Sequence, residues 1–196
     1  MGKGEQTRTA ILDRAVGLAS AVGLEGLTIG RLAGEAHLSK SGLFAHFGSK
    51  EDLQVRTLNR AAERFVEVVV KPALAAGRGE PRVRALFERW LRWPVDFPQP
   101  GGCIFVAASA ELDDRPGPAR DRLAQLQREW LDALARSVRV AKDEGHFRGE
   151  VDPEQFAFET YGIMLMTHLS MRLLRDRQAT ARARRAFERL LEKARA

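Results

Sequence analysis

Residues 38–53 read LSKSGLFAHFGSKEDL and concentrate groups that hydrogen-bond anions. Ser39, Ser41 and Ser49 bring hydroxyls, Lys40 and Lys50 bring amines, and His46 brings an imidazole. Such groups suit phosphate oxygens and base edges, which are bound rather than broken. The rest of the chain supplies no set for bond-making. It has no Gly-rich nucleotide loop, no HExxH and no nucleophile elbow. The four histidines, His37, His46, His146 and His168, lack the spacing of metal ligands. No metal and no cofactor is therefore expected, and a helical enzyme is the weakest reading. The single cysteine, Cys103, excludes an intrachain disulfide framework and fits a reducing cytoplasm.

The elements that must position these groups are helices. Ile11, Ala15 and Ala19 recur at i+4, and Leu12, Val16 and Leu18 widen the stripe, predicting a first helix over residues 7–22. Gly23 fits the position past its end. Thr28 reads as an N-cap before a two-turn helix over 29–36, whose apolar face is Ile29, Leu32, Ala33 and Ala36. Leu38 is expected to plug the core from the following turn. Ser39 caps a short third helix with Leu43 and Phe47 on its inner face, and Ser49 caps a fourth. Glu51 and Asp52 complement the positive end of that fourth helix. It is expected to run from Lys50 towards Val70, with Pro72 kinking or ending it. Further helices follow: one through Val83, Leu86, Phe87, Trp90 and Leu91, stopped by Pro94; one over 102–112; a long one within 116–145; one capped by Asp152 with Pro153 at its first position; and one over 180–194. The alternation of strands is nowhere sustained, so the fold class is all-α.

Charge narrows the partners less than it first suggests. The chain of 196 residues has a formal net charge of +6, which favours polyanions. Yet residues 171–196 hold 9 Lys/Arg against 3 Asp/Glu, while residues 1–60 hold 8 against 6. A nucleic-acid reading must therefore rest on placed residues. The most apolar window, YGIMLMTHLSMRLL, is shorter than the roughly 20 residues a membrane span needs and contains His168 and Arg172. A buried or interfacial helix, no membrane partner and a cytoplasmic location are expected.

Three short helices with tight connections match a helix-turn-helix module. A recognition helix enters a major groove about 12 Å wide, so its leading end must be small or polar and its trailing face buried. Ser39, Lys40, Ser41 and Gly42 meet the first demand, and Leu43 and Phe47 the second. The stretch LTIGRLAGEAHLSKSGLFAHFGSKEDL resembles the DNA-binding motif of the TetR family of bacterial regulators. The resemblance is carried by Thr28, Leu32, Ala33, Ala36, Ser39, Lys40, His46, Phe47, Ser49, Lys50, Glu51 and Leu53. Four features depart from the family pattern. His37 stands where the turn usually has Gly, and a positive φ suits His better than most side chains. Ser41 and Gly42 displace a hydroxyl by one position. Phe44 replaces a Tyr that commonly bonds phosphate, and is expected to lie in the core or in van der Waals contact with DNA.

The resemblance implies a DNA-binding domain over residues 1–50 and a ligand-binding and dimerisation domain over 51–196. It assigns DNA contact to Thr28, Ser39, Lys40, Ser41, Gly42, Phe44, His46 and Lys50. Thr28, Ser39 and Ser49 are helix caps whether or not they also meet phosphate. Lys3 and Arg8 are candidates for a minor-groove arm or for a solvated terminus.

The second domain offers Phe65, Phe87, Trp90, Trp93, Cys103, Phe105, Trp130, Tyr161, Met164 and His168 as candidates to line an apolar pocket. Each has the alternative of ordinary core, and Tyr161 and His168 of a core hydrogen bond. PGGCIF resembles a segment that opens a helix beside the pocket in part of the family. Its two glycines permit close backbone approach. Cys103 is either a thiol sensor or a small buried hydrophobe, and nothing basic beside it lowers its pKa. Dimerisation is assigned to helices over 153–174 and 177–195, packed as a four-helix bundle across a two-fold. The reading is a ligand-responsive transcriptional regulator, expected to repress. As a homodimer it binds a pseudo-palindromic double-stranded DNA operator and is released by a small apolar effector. The rival is a DNA-binding adaptor gated by a protein partner.

Overall fold

A computed structural model describes residues 3–196. Among the described residues the regular structure is helical, apart from one isolated bridge between Phe147 and Arg195. The helices are α1 (Lys3–Val22), α2 (Ile29–Ala36), α3 (Lys40–Phe47), α4 (Lys50–Phe65), α5 (Lys71–Leu74), α6 (Glu80–Asp96), α7 (Ile104–Leu112), α8 (Pro118–Asp143), α9 (Pro153–Arg172) and α10 (Ala179–Ala194), with a π turn over Val66–Val70. They form two compact units. Among the described residues, the first holds 3–65 and 97–126, and the second 66–96 and 127–196.

The first unit is built around α1 and α4. Ile11, Ala15, Val16 and Ala19 of α1 are buried together with Leu53, Leu58 and Ala61 of α4. Leu32, Ala33, Leu43 and Phe47 join them from α2 and α3, and Ile104, Ala108, Leu112, Ala119 and Leu123 from α7 and the start of α8. α2 and α3 are each only eight residues long, too short to persist alone. Their buried faces hold them. Asp13 of α1 fixes the register with α4 by taking hydrogen bonds from Arg60 at 2.7 and 3.0 Å and from Arg64 at 3.1 Å. Burial pushes the Asp13 carboxyl up, but the bonds from Arg60 and Arg64 outweigh it and hold it below the usual range. Arg14 donates to the Ala36 carbonyl at the end of α2. The PGGC turn seats on α1: a Cβ on Gly101 would lie 1.4 Å from the Ser20 carbonyl oxygen, and the Gly101 N–H donates to the Ser20 hydroxyl at 3.1 Å.

The second unit has an aromatic centre. Phe87 of α6 stacks on Phe187 of α10 with centroids 3.9 Å apart, Phe187 meets Phe156 of α9 edge-on, and Phe156 meets Phe147. Leu86, Trp90, Leu134, Val138, Met164 and Leu191 are buried around it. A charged lattice closes the C-terminal end. Arg195 binds Glu80 at 2.7 and 2.9 Å and Glu188 at 2.8 Å, and Arg84 binds the same two carboxylates.

Several expectations are corrected. Leu38 is 42% exposed; Leu24 and Leu27, both fully buried, fill the core beneath the connection before α2. The α-helical geometry of α4 stops at Phe65, and a π turn precedes Pro72, which sits in the first turn of α5. A widened turn removes the need for the N–H that proline lacks. Pro94 does not stop α6, which continues to Asp96. So near the helix end, the missing N–H and the ring cost too little to break the packing of Trp90, Leu91 and Trp93. Arg8 lies within α1 rather than on a free arm; the Lys3 side chain lies outside the described residues.

Candidate nucleic-acid interface

The starts of α2, α3 and α4 each have their cap made. The Thr28 hydroxyl accepts from Arg31 N–H at 3.1 Å, Ser39 from Gly42 N–H at 3.1 Å, and Ser49 from Asp52 N–H at 3.0 Å. A hydroxyl that accepts a backbone bond still carries its own proton. Thr28 and Ser39 are exposed, so that proton is available to an anion.

The connection between α2 and α3 is a left-handed one. His37 takes φ 53° and ψ 41°, the region that His tolerates. The His37 and Leu38 N–H groups reach back to the Gly34 and Ala33 carbonyls at 3.3 and 3.0 Å. These bonds satisfy the end of α2 and turn the chain into α3.

α3 separates its faces cleanly. Leu43 and Phe47 are 1% exposed and belong to the core. Ser39, Lys40, Ser41, Gly42, Phe44 and Ala45 are all exposed. Phe44, expected in the core or against DNA, is 58% exposed and so is not core; a burial stripe of Leu43 and Phe47 at i+4 leaves it on the outer side. His46 is half-buried, its ring 6.2 Å from that of Phe47. Of the eight residues assigned to DNA contact, Thr28 and Lys50 stand at the starts of α2 and α4, Ser39, Lys40, Ser41, Gly42 and Phe44 are exposed at the start and outer side of α3, and His46 is half-buried in its last turn.

Lys50 has a partner. Its Nζ lies 3.0 Å from Glu25 Oε2. Glu25 also accepts from Gln54 Nε2 at 3.3 Å and lies 3.8 Å from Arg115. The Lys50 bond, followed by that from Gln54, holds the Glu25 carboxyl below its ordinary range. Glu25 and Gln54 were missed from sequence, because their roles depend on where α4 meets the connection after α1.

The candidate pocket residues divide between the units. In the first, Phe65 and Phe105 meet edge-on with centroids 5.9 Å apart, and Cys103 is buried at the N-cap of α7. In the second, Phe87, Trp90, Trp93, Trp130 and Met164 are buried. There the Tyr161 hydroxyl donates to Gln127 Oε1 at 2.6 Å. His168 is half-buried, and burial, then the nearby Arg172, lowers its pKa. Among the described residues no cluster of His, Cys, Asp and Glu is arranged to hold a metal ion. No helix among them is long and apolar enough to cross a membrane.

Two family models and several known proteins match this chain. Residues 11–56 match the family described as bacterial regulatory proteins, tetR family, and residues 79–187 match the tetracyclin repressor-like C-terminal domain. The chain is 22% identical over 151 residues to the uncharacterized HTH-type transcriptional regulator YezE of Bacillus subtilis (strain 168), covering 76% of this chain and 78% of that one. Its fold resembles that of a TetR family transcriptional regulator from Cytophaga hutchinsonii, with TM-score 0.87, 18% identity and 100% and 98% of the two chains covered. It also resembles AibR, solved in complex with isovaleryl coenzyme A and operator DNA, with TM-score 0.65, 24% identity and 80% and 82% coverage.

Proposed function

This chain belongs to the TetR family of bacterial transcriptional regulators, and from that membership we propose that it is a repressor which binds a pseudo-palindromic operator as a homodimer and leaves it when a small apolar effector binds. The observation that carries the DNA-contact assignment is the division of α3. Leu43 and Phe47 anchor one face in the core, while Ser39, Lys40, Ser41, Gly42 and Phe44 stand exposed on the other. The buried anchors hold the helix rigid, and the exposed side chains are free to meet base edges. Thr28, His46 and Lys50 then serve phosphates, which set register without reading sequence. Residues 1–50 act as the reading module and residues 51–196 as the sensing and pairing region, and the work is done in the cytoplasm, where the operator is.

Homodimerisation through α9 and α10 is supported by an uncovered apolar stripe. Phe158, Leu165, Met166, Leu169 and Leu173 follow the helical repeat along one side of α9, and all are exposed. Phe158 and Leu173 are 70% and 73% exposed. A stripe of this kind on a helix of a soluble domain is ordinarily covered by a partner surface. A second copy about a two-fold would cover it with itself, and a dimeric reader of this kind meets half-sites on successive turns of one DNA face.

Effector response is supported by family membership and by the aromatic content of residues 65–168. For AibR the complex holds both a ligand and operator DNA; for this chain the effector class proposed is a small apolar molecule. Coupling requires that the effector prefer the conformation in which the two reading helices no longer fit the operator. The test is a mobility-shift titration on an enriched duplex, repeated over a panel of apolar small molecules. Release by one member and not by polar controls is the expected result. A complex that no member disturbs, but that a cellular protein dissociates, would favour a DNA-binding adaptor gated by a partner.

A further inference from the structure

Glu111 stands in the last turn of α7, where the negative end of the helix disfavours a carboxylate. Its position is explained by what lies opposite. Oε2 accepts from the Leu24 N–H and Oε1 from the Glu25 N–H, each at 2.8 Å. These two amides lie past the end of α1, outside its ladder of bonds, and find their acceptor in Glu111. Two bonds from one ionised carboxylate are the stronger kind. The connection is shaped to admit it. Gly23 has φ +81°, and a Cβ there would lie 2.6 Å from Glu111 Oε1, so both the backbone sign and the close approach call for glycine.

The same connection is gripped from its other side by α4. Gln54 Nε2 donates to the Leu24 carbonyl at 2.7 Å, and the Glu25 side chain meets Lys50 at 3.0 Å. One residue of the connection thus takes Glu111 on its amide and presents Lys50 with its carboxylate. The geometry points to Glu111 as a positioning residue for DNA binding: from α7 it fixes the backbone of Leu24 and Glu25, and through Glu25 it sets where Lys50 stands at the start of α4. This rests on the DNA-binding reading above and adds to it a residue, distant in sequence, that no DNA atom need touch. Movement of α7 would release the grip and let the Lys50 end of the reading face drift.

The test is a double-mutant cycle on an operator duplex selected by the wild-type protein. Glu111→Ala removes both acceptors. Glu111→Gln keeps the shape but turns an NH2 towards one of the two amides, and it serves if the alanine variant does not fold. Titrations are made at a temperature where each variant is folded by its thermal melt. The expected result is a loss of operator affinity of about tenfold for Glu111→Ala and less for Glu111→Gln, with faster hydrogen exchange at the Leu24 and Glu25 amides. Lys50→Ala should also cost less affinity in the Glu111→Ala background than in the wild type. A purely structural Glu111 would leave the Lys50→Ala cost unchanged, and that outcome overturns the inference. Wild-type affinity in both variants overturns it too, as does a Lys50→Ala change that costs nothing in either background. A wild-type protein that selects no duplex would instead remove the DNA-binding reading itself.

Discussion

Lys50 Nζ and Glu25 Oε2 lie 3.0 Å apart, so the first residue of α4 is tied to the connection after α1. Their side chains are 36% and 41% exposed, and a pair so wet contributes little to stability. An ammonium has three donors, so Lys50 keeps Glu25 and still has donors for a DNA phosphate, but the carboxylate offsets part of the charge Lys50 brings. Glu25→Gln keeps an oxygen acceptor that positions Lys50 but removes the opposing charge, so it is expected to strengthen binding and steepen its salt dependence. Lys50→Ala should lower the slope of log K against log salt by about 1 in the Glu25→Gln background and by less in the wild type. Affinities measured over a salt series check both. An identical slope with and without Lys50 in both backgrounds would remove it from the phosphate contacts.

Lys40 and Ser41 are exposed at the leading end of α3. Lys40→Ala and Ser41→Ala should change which bases are preferred within a half-site, each by about 1–3 kcal/mol at the affected position. Thr28→Ala should instead weaken all duplexes alike and also weaken the cap of α2, by about 1 kcal/mol of stability. Comparing binding motifs selected by each variant separates the two effects.

The apolar side of α9 makes a prediction that does not involve DNA. Leu169→Glu with Leu173→Glu places two charges in a surface expected to be covered. Each buried leucine is worth about 1.5–3 kcal/mol, so dimer affinity should fall on the order of 100-fold or more. Sedimentation at micromolar concentration reads the change. Both positions are exposed in the protomer, so the thermal melt of the separated chain should keep its helical signal. A wild-type protein that is already monomeric would discard this surface as the two-fold interface.

Acid should loosen the second unit at its C-terminal end. Hydrogen bonds from Arg84, then Arg195, hold the Glu188 carboxyl down at about 2 against an ordinary 4.5. Glu80 is lowered as well, first by the bond from Arg195. A carboxyl held down in the folded state contributes stability that is fully present above pH 4.5 and is lost as pH falls towards 2. Stability should therefore decline across that window, and Glu188→Gln should make the decline shallower while lowering stability at neutral pH. Thermal melts across the window check this. The side chains are partly in water, so the neutral-pH effect should be small.

What sequence disclosed, and what it did not, follows from how far apart the interacting groups are. Caps are local, so Thr28, Ser39, Ser49 and Asp152 were legible, and each accepts the backbone N–H its position implies. The left-handed turn at His37 was legible from the resemblance, which has a glycine at that place. Leu38 was misread because a hydrophobic residue in a turn has no periodicity to say which way it faces. Pro94 was misread because a proline rule ignores the packing that holds the last turn. Glu111 gave no readable signal beyond an acid at a helix end. Its partners are 86 and 87 residues away, and only the folded first unit brings them together. The same holds for the two compact units, each assembled from two separate stretches of chain.

The outer side of α3 is proposed to read a two-fold-symmetric operator. Selection of binding sites from a random DNA pool by the purified protein tests it most directly. An enriched inverted repeat is expected, its half-sites separated by about one helical turn or a multiple of it, with the preferred bases shifting for Ser41→Ala. Recovery of no motif, or of the same motif after the outer side of α3 is replaced by alanine, would contradict it.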